Sequence, residues 1–163
     1  MNKLGLLICL IAISFTTQKI NLQDIDIPAL YDKVVYIAKG MCENTEYKCS
    51  NNLVKNKEAL LKIINDAIED YNKGTGLVEL LAKYAIKLYL VKDFMTDCKV
   101  AEIGAKVVTL TTEKGLKDLG YNIIEYTTDI INHIGEFKNA ADLNDKLVAA
   151  GKILKVLLGI AVK

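Results

Sequence analysis

Apolar residues recur at three- and four-residue steps along most of this chain, which is the spacing of one face of an α-helix. Two such stretches dominate the middle of the sequence, residues 52–72 and residues 76–96, and a three-residue turn with Gly74 joins them. Two helices of equal length joined by so short a turn must run antiparallel, so the start of one lies beside the end of the other. A cysteine stands just outside each outer end, and we therefore expect Cys49 and Cys98 to meet.

A further helix is predicted before this hairpin. Asp26 is a good N-cap residue, and Pro28 falls in the first turn, where its missing N–H costs nothing. The apolar positions that follow continue at helical spacing. We expect this helix to run to about Ala38 and to end at Gly40.

Three more helices are predicted after the hairpin. The first is weakened by threonine and valine residues, so a short strand at 107–112 is the alternative there. Gly115 and Gly120 are expected to bracket a break, a helix rich in isoleucine should stop near Gly135, and Asn139 should cap a last apolar helix. These patterns predict an all-α fold: a single compact bundle of five or six mostly antiparallel helices with one disulfide.

The N-terminus has the features of a secretory signal. Lys3 is followed by an apolar run over residues 4–15, and small residues come next. This run is shorter than the roughly 20 residues that a membrane span needs. We expect residues 1–17 to be a cleaved signal peptide, residues 18–163 to be a single helical domain, and the protein to be secreted or to reside in the lumen of the secretory pathway. An uncleaved anchor or a buried N-terminal helix is the alternative.

Signal cleavage would remove Cys9 and leave three cysteines, which in a secreted protein implies one bridge and one leftover thiol. Because they lie at the same end of the hairpin, Cys49 and Cys98 are the favoured pair. A bridge from Cys42 to either of them, or no bridge, is the alternative. As the leftover thiol, Cys42 is either free or forms an intermolecular disulfide.

The charge balance argues against nucleic acid as a partner. The chain carries 21 basic residues, all of them lysine, against 20 carboxylates, so its net charge is +1. A near-neutral surface gives no long-range attraction to phosphates, and the Arg fork that reads phosphates and guanine edges is missing from the sequence.

The sequence contains few residues that could serve in catalysis or bind a metal ion. It has one histidine, His133, and Ser50 is its one serine after the signal segment. Glu125 and Asp129 share a helical face with His133, but a solvated polar face explains them better than a metal site does. We therefore expect a protein that is not an enzyme and that has no metal site and no cofactor.

The most apolar stretch of the mature chain is residues 147–162, which fits either a core helix or an amphipathic helix at a lipid surface. The first hypothesis is a binding module for an apolar small molecule, a lipid or a partner helix. The alternatives are a membrane-active protein that uses this C-terminal helix and a structural component of an extracellular or granule assembly, built as a homo-oligomer or with a protein partner. The predicted apolar ligand or membrane surface consists of six residues: Tyr84, Leu88, Ile153, Leu154, Leu157 and Leu158.

Overall fold

The computed structural model describes residues 25–91 and 93–163. In this part of the chain the fold is all-α, as predicted, with nine helices and no strand. An isolated parallel bridge joins Cys42 to Val162. The predicted signal segment 1–17 lies outside the described residues. The helices are α1 (Ile27–Met41), α2 (Lys48–Lys55), α3 (Lys57–Asn72), α4 (Leu77–Tyr89), α5 (Phe94–Asp97), α6 (Val100–Thr109), α7 (Glu113–Glu125), α8 (Thr127–Asn139) and α9 (Leu143–Leu158).

The predicted hairpin is present, but each arm is divided, which is one reason why the expected five or six helices are too few. The first arm breaks at Asn56, between α2 and α3, and the second ends at Tyr89, before the short helix α5. The left-handed φ of 59° at Asp93 turns the chain into α5. Since α2 and α5 pack together, Cys49 and Cys98 meet there and form a disulfide with an S–S distance of 2.06 Å. The predicted pairing is confirmed.

The helices α1 and α9, which are far apart in sequence, make the most extensive helix contact of the described residues. Their backbones cross at Gly40 and Gly151, where a Cβ on either residue would lie 2.9 Å from the other Cα and would collide with a carbonyl oxygen of the facing helix. Gly40 lies inside α1, which runs to Met41, so it does not end the helix as predicted. Its role is to let the two backbones approach. The predicted start is correct: the Asp26 carboxylate accepts a hydrogen bond from Ala29 N at 3.0 Å.

The glycines of the second half also lie inside helices. Gly115 and Gly120 both belong to α7, and Gly135 belongs to α8, so the predicted breaks at these residues are wrong. The breaks fall instead at residues 110–112, between α6 and α7, and at Tyr126, which lies between α7 and α8. Gly115 is required by close packing, because a Cβ there would collide with the carbonyl oxygen of Thr109.

Two further predictions for the second half are corrected by the structure. The strand that was the alternative at 107–112 is not formed, since α6 continues to Thr109 and turns follow. Asn139 is the last residue of α8, whereas the cap of α9 is Asp142, whose carboxylate accepts from Asp145 N at 2.8 Å.

The main buried cluster joins α1 and the hairpin to the segment that follows α9. Its best-buried member is Val162, which is 1% exposed. In chain order the members are Tyr31, Ala38, Met41, Cys42, Cys49, Leu53, Leu60, Val91, Cys98 and Val162.

Candidate functional site

The three cysteines of the described residues lie in one buried cluster. Cys49 and Cys98 are bonded to each other, and Cys42 is a free, buried thiol. Cys42 follows the last residue of α1, and its thiol donates hydrogen bonds to the Ala38 carbonyl at 3.2 Å and to the main-chain oxygen of Lys163 at 3.4 Å. The thiol therefore lies between α1 and the segment that follows α9.

Burial raises the pKa of the Cys42 thiol, because a thiolate is disfavoured away from water. Three weaker effects oppose this shift: hydrogen bonding from the main-chain N–H groups of Ser50 and Cys49, and the positive charge of Lys155. Both N–H groups belong to the first turn of α2, a location that favours a thiolate. Burial thus keeps the Cys42 thiol protonated, although the N–H groups of Ser50 and Cys49 and the charge of Lys155 around it favour the thiolate.

The six residues of the predicted apolar ligand or membrane surface do not form an exposed surface. Tyr84 and Ile153 are buried, and Leu88, Leu154 and Leu158 are half-buried against the main cluster. Leu157 is also half-buried. The apolar stripe of α9 thus packs inside the protein, and whether these residues hold a ligand stays a prediction.

Tyr84 has a structural partner inside the hairpin. Its hydroxyl donates to the Asp70 carboxylate at 2.6 Å, and this carboxylate also binds Lys83 Nζ at 2.6 Å. Burial and this carboxylate raise the pKa of Tyr84 to about 12. Lys87 Nζ lies 4.6 Å from the centre of the Tyr84 ring and 3.5 Å from Asp66. Since Asp66 and Asp70 meet Lys87 and Lys83 in reverse order, these contacts fix the antiparallel register of α3 and α4.

The outer face of α4 carries an exposed apolar stripe. Val78, Ala82, Ile86 and Tyr89 follow one another at four- and three-residue steps, and all four are exposed. The exposed fraction is 83% for Val78 and 68% for both Ile86 and Tyr89. The other face of α4 is already buried through Tyr84 and its neighbours. This helix is therefore apolar on two faces, of which the fold covers one.

A second exposed apolar stripe runs along α7 and α8. Leu116, Ile123 and Ile124 on α7 and Ile131 on α8 are exposed along this nearly continuous pair of helices. Each of the four is exposed by more than two fifths. Exposed apolar surface on this scale marks sites of interaction in soluble proteins.

The described residues offer little enclosed space for a ligand. A cavity of about 10 Å³ between α7 and the end of α9 has room for a single water. A larger groove of about 480 Å³ beside it is open to solvent. Charged and hydroxyl side chains such as Lys106, Thr109 and Asp118 lie along it together with the apolar Ala105 and Ile160. It does not enclose a ligand.

The described residues contain no cluster of side chains that could hold a metal ion. Glu125 and Asp129 are exposed on α7 and α8. The buried Nδ1 of His133 lies 3.4 Å from Glu136, without the geometry of a hydrogen bond. Among the described helices, none is both long and apolar enough to cross a membrane.

Comparison of the chain with models of protein families, with curated proteins and with solved structures finds no match. The candidate surfaces therefore depend on the geometry alone. The sequence analysis did not identify the exposed stripe on α4, because its residues alternate along the chain with those of the buried stripe. The composition of α4 could have revealed it, since its first and last turns each contain three apolar residues and one charged residue.

Proposed function

We propose that this protein is a secreted, non-enzymatic interaction module that docks a partner helix on the outer face of α4. We further propose that it is a single compact bundle of mostly antiparallel helices. The observation that carries the proposal is the exposed stripe of Val78, Ala82, Ile86 and Tyr89. The fold covers only one of the two apolar faces of α4, and helix recognition uses apolar anchors at this spacing.

The proposed partner helix is α4 of a second copy of this chain. In a two-fold contact the same residues meet from both sides, so one continuous stripe is enough to form both halves of the interface. The net charge of +1 leaves little repulsion between two copies. Tyr89 adds an aromatic side chain, of the kind that is enriched in interface cores.

The other functions considered have less support. A bound apolar small molecule or lipid would need more enclosed space than the 10 Å³ cavity provides. Membrane activity through α9 would require Ile153 to leave the core, where it is 5% exposed. A covalent assembly through Cys42 would require this buried thiol to reach the surface.

Sedimentation velocity over a range of protein concentrations tests the proposal. We expect the wild-type chain to form dimers as its concentration rises. We expect Ile86→Lys to weaken the dimer by more than about tenfold in Kd, because a charge would be placed in the centre of the interface. Val108→Lys on α6 is the matched control, since Val108 and Ile86 have the same exposed fraction of 68%, and it should leave the dimer unchanged.

A wild-type chain that stays monomeric at all concentrations would overturn the assignment of a second copy as the partner. Flotation with liposomes, of neutral and of anionic lipid, then tests a lipid surface as the occupant of the same stripe. If Ile86→Lys and Val108→Lys behave alike in both assays, the stripe on α4 is not the docking surface.

A further inference from the structure

A free thiol and a disulfide share one hydrogen-bond acceptor in the buried cysteine cluster. The Cys42 thiol donates to the main-chain oxygen of Lys163 at 3.4 Å, and the N–H of Cys49 donates to the same oxygen at 2.6 Å. Cys42, Cys49 and Cys98 are each at most 6% exposed. The Cys42 thiol therefore lies next to the Cys49 backbone at one end of the disulfide, with the 160–163 segment beside both.

The 160–163 segment is held by backbone hydrogen bonds and by the buried side chains of Ile160 and Val162, which are 5% and 1% exposed. Val162 N donates to the Met41 carbonyl at 3.1 Å, and Glu43 N donates to the Val162 carbonyl at 2.7 Å. Lys163 N donates to the Asp97 carbonyl at 2.9 Å. The side chain of Val162 fills the centre of the buried cluster. The segment thus joins the end of α1 to both sides of the disulfide, and its Lys163 carbonyl contacts the Cys42 thiol directly.

We propose that the 160–163 segment is a latch over an internal thiol–disulfide exchange, and that its release lets Cys42 replace Cys98 as the partner of Cys49. In this step the Cys42 thiolate attacks the Cys49 sulfur. The Cys42–Cys49 bond forms, the Cys49–Cys98 bond breaks, and Cys98 leaves as a thiolate that takes up the proton lost by Cys42. One disulfide and one thiol are present before and after, so the exchange needs no external oxidant or reductant.

The environment of Cys42 explains why the latched form does not exchange. While the segment is seated, burial keeps the thiol protonated, and only the thiolate attacks a disulfide. When the segment leaves, water reaches the sulfur, while the N–H groups of Ser50 and Cys49 remain next to it and stabilise the anion. Gly159, with a φ of 63°, is the last residue before the segment and provides a hinge.

The consequence of the exchange is a change in the hairpin. The Cys49–Cys98 bond ties α2 to the end of α5, across a sequence separation of 49 residues. A Cys42–Cys49 bond would close a loop of only a few residues and would free α5 and α6 from α2. The latch therefore couples the position of one short segment to the opening of the hairpin on which the first half of the fold is built.

Mapping of the disulfides in the oxidised protein, secreted without its predicted signal segment 1–17, tests this proposal. Trypsin separates Cys42, Cys49 and Cys98, because lysines 39, 48, 55, 92 and 99 put each of them in its own peptide. Wild type and Val162→Asp are incubated at mildly alkaline pH, quenched with iodoacetamide, digested and analysed by mass spectrometry. We expect the variant to produce linked Cys42–Cys49 peptides and alkylated Cys98 at least about tenfold faster than wild type, because a buried charge expels the segment.

Two further variants keep the experiment decisive. Val162→Ala loosens the segment without introducing a charge, and its exchange rate should lie between those of wild type and Val162→Asp. If circular dichroism shows that Val162→Asp is unfolded, the comparison of Val162→Ala with wild type tests the latch. Val108→Asp, an exposed site on α6, should exchange like wild type. The proposal is overturned if the folded Val162 variants keep the Cys49–Cys98 bond and carry the alkyl group on Cys42.

Discussion

Replacement of Gly151 by alanine tests the crossing of α1 and α9 on which the fold is built. A Cβ at Gly151 would collide with the Ile37 carbonyl oxygen and would lie 2.9 Å from the Cα of Gly40. Both contacts are with backbone, so no side-chain rotamer can relieve them and the two helices must separate. Overpacking of this kind costs about 1–3 kcal/mol or more, against which the higher helix propensity of alanine returns at most about 1 kcal/mol. We expect a net loss of about 2 kcal/mol in the free energy of unfolding.

The assay is urea and thermal unfolding followed by far-ultraviolet circular dichroism. A loss of about 2 kcal/mol corresponds to a fall in Tm of roughly 4 to 8 °C for a chain of this size. Gly135→Ala in α8 is the matched control, because the same substitution there meets no atom within 4 Å. It should raise stability by about 0.5–1 kcal/mol through helix propensity alone. If Gly151→Ala were as stable as Gly135→Ala, the close contact between the two backbones would be refuted.

Two further predictions concern the core. Burial, with a smaller contribution from the Asp32 charge, raises the pKa of Tyr31 from 10.0 to about 12, so its contribution to stability is complete below pH 10 and is lost as the pH rises to about 12. Tyr31→Phe removes this pH dependence and also the 2.7 Å hydrogen bond to the Leu53 carbonyl. In alkaline unfolding the variant should show a flatter stability profile between pH 10 and 12, and at neutral pH it should be less stable by about 1 kcal/mol. Joint replacement of Cys49 and Cys98 by alanine should lower the free energy of unfolding by up to about 4 kcal/mol, because the bridge closes a loop with a sequence separation of 49 residues. Urea unfolding measures the loss, and a value below about 1 kcal/mol would contradict a bridge that restrains the unfolded chain.

The sequence allowed the helical class and the disulfide to be predicted, because both follow from local pattern and chain geometry. Apolar periodicity marks helices wherever they pack, and a short turn around Gly74 forces the ends of the hairpin together. The helix boundaries were predicted less well. Gly40, Gly115 and Gly135 were interpreted as helix ends, whereas all three lie inside helices, and close packing accounts for the first two. Only the tertiary structure distinguishes a glycine that ends a helix from one that permits a close approach.

The candidate surfaces could not be predicted for a related reason. Periodicity identifies an apolar stripe but does not say whether another element covers it. The residues of α9 and Tyr84 were assigned to an apolar ligand or membrane surface, and in the structure they pack inward, because α1 and α3 provide their neighbours. Ile86 has the same apolar character and no such neighbour. The 160–163 segment is too short to show a periodicity, and its position beside the cysteines follows from contacts between residues far apart in the sequence.

Burial is distributed unevenly along the described residues, and this distribution bears on both proposals. The helices α6 and α8 contain no buried residue, and α7 contains only Gly115, whereas α1, the hairpin and the end of the chain supply the main cluster. Segments with few buried contacts open at lower free energy than the core does. Helices α6, α7 and α8 are therefore expected to open at lower free energy than the hairpin. Both proposals place their sites on the hairpin, the docking stripe on α4 and the Cys49–Cys98 bond beside the latch. Because the latch lies in the best-packed region, we expect it to open rarely.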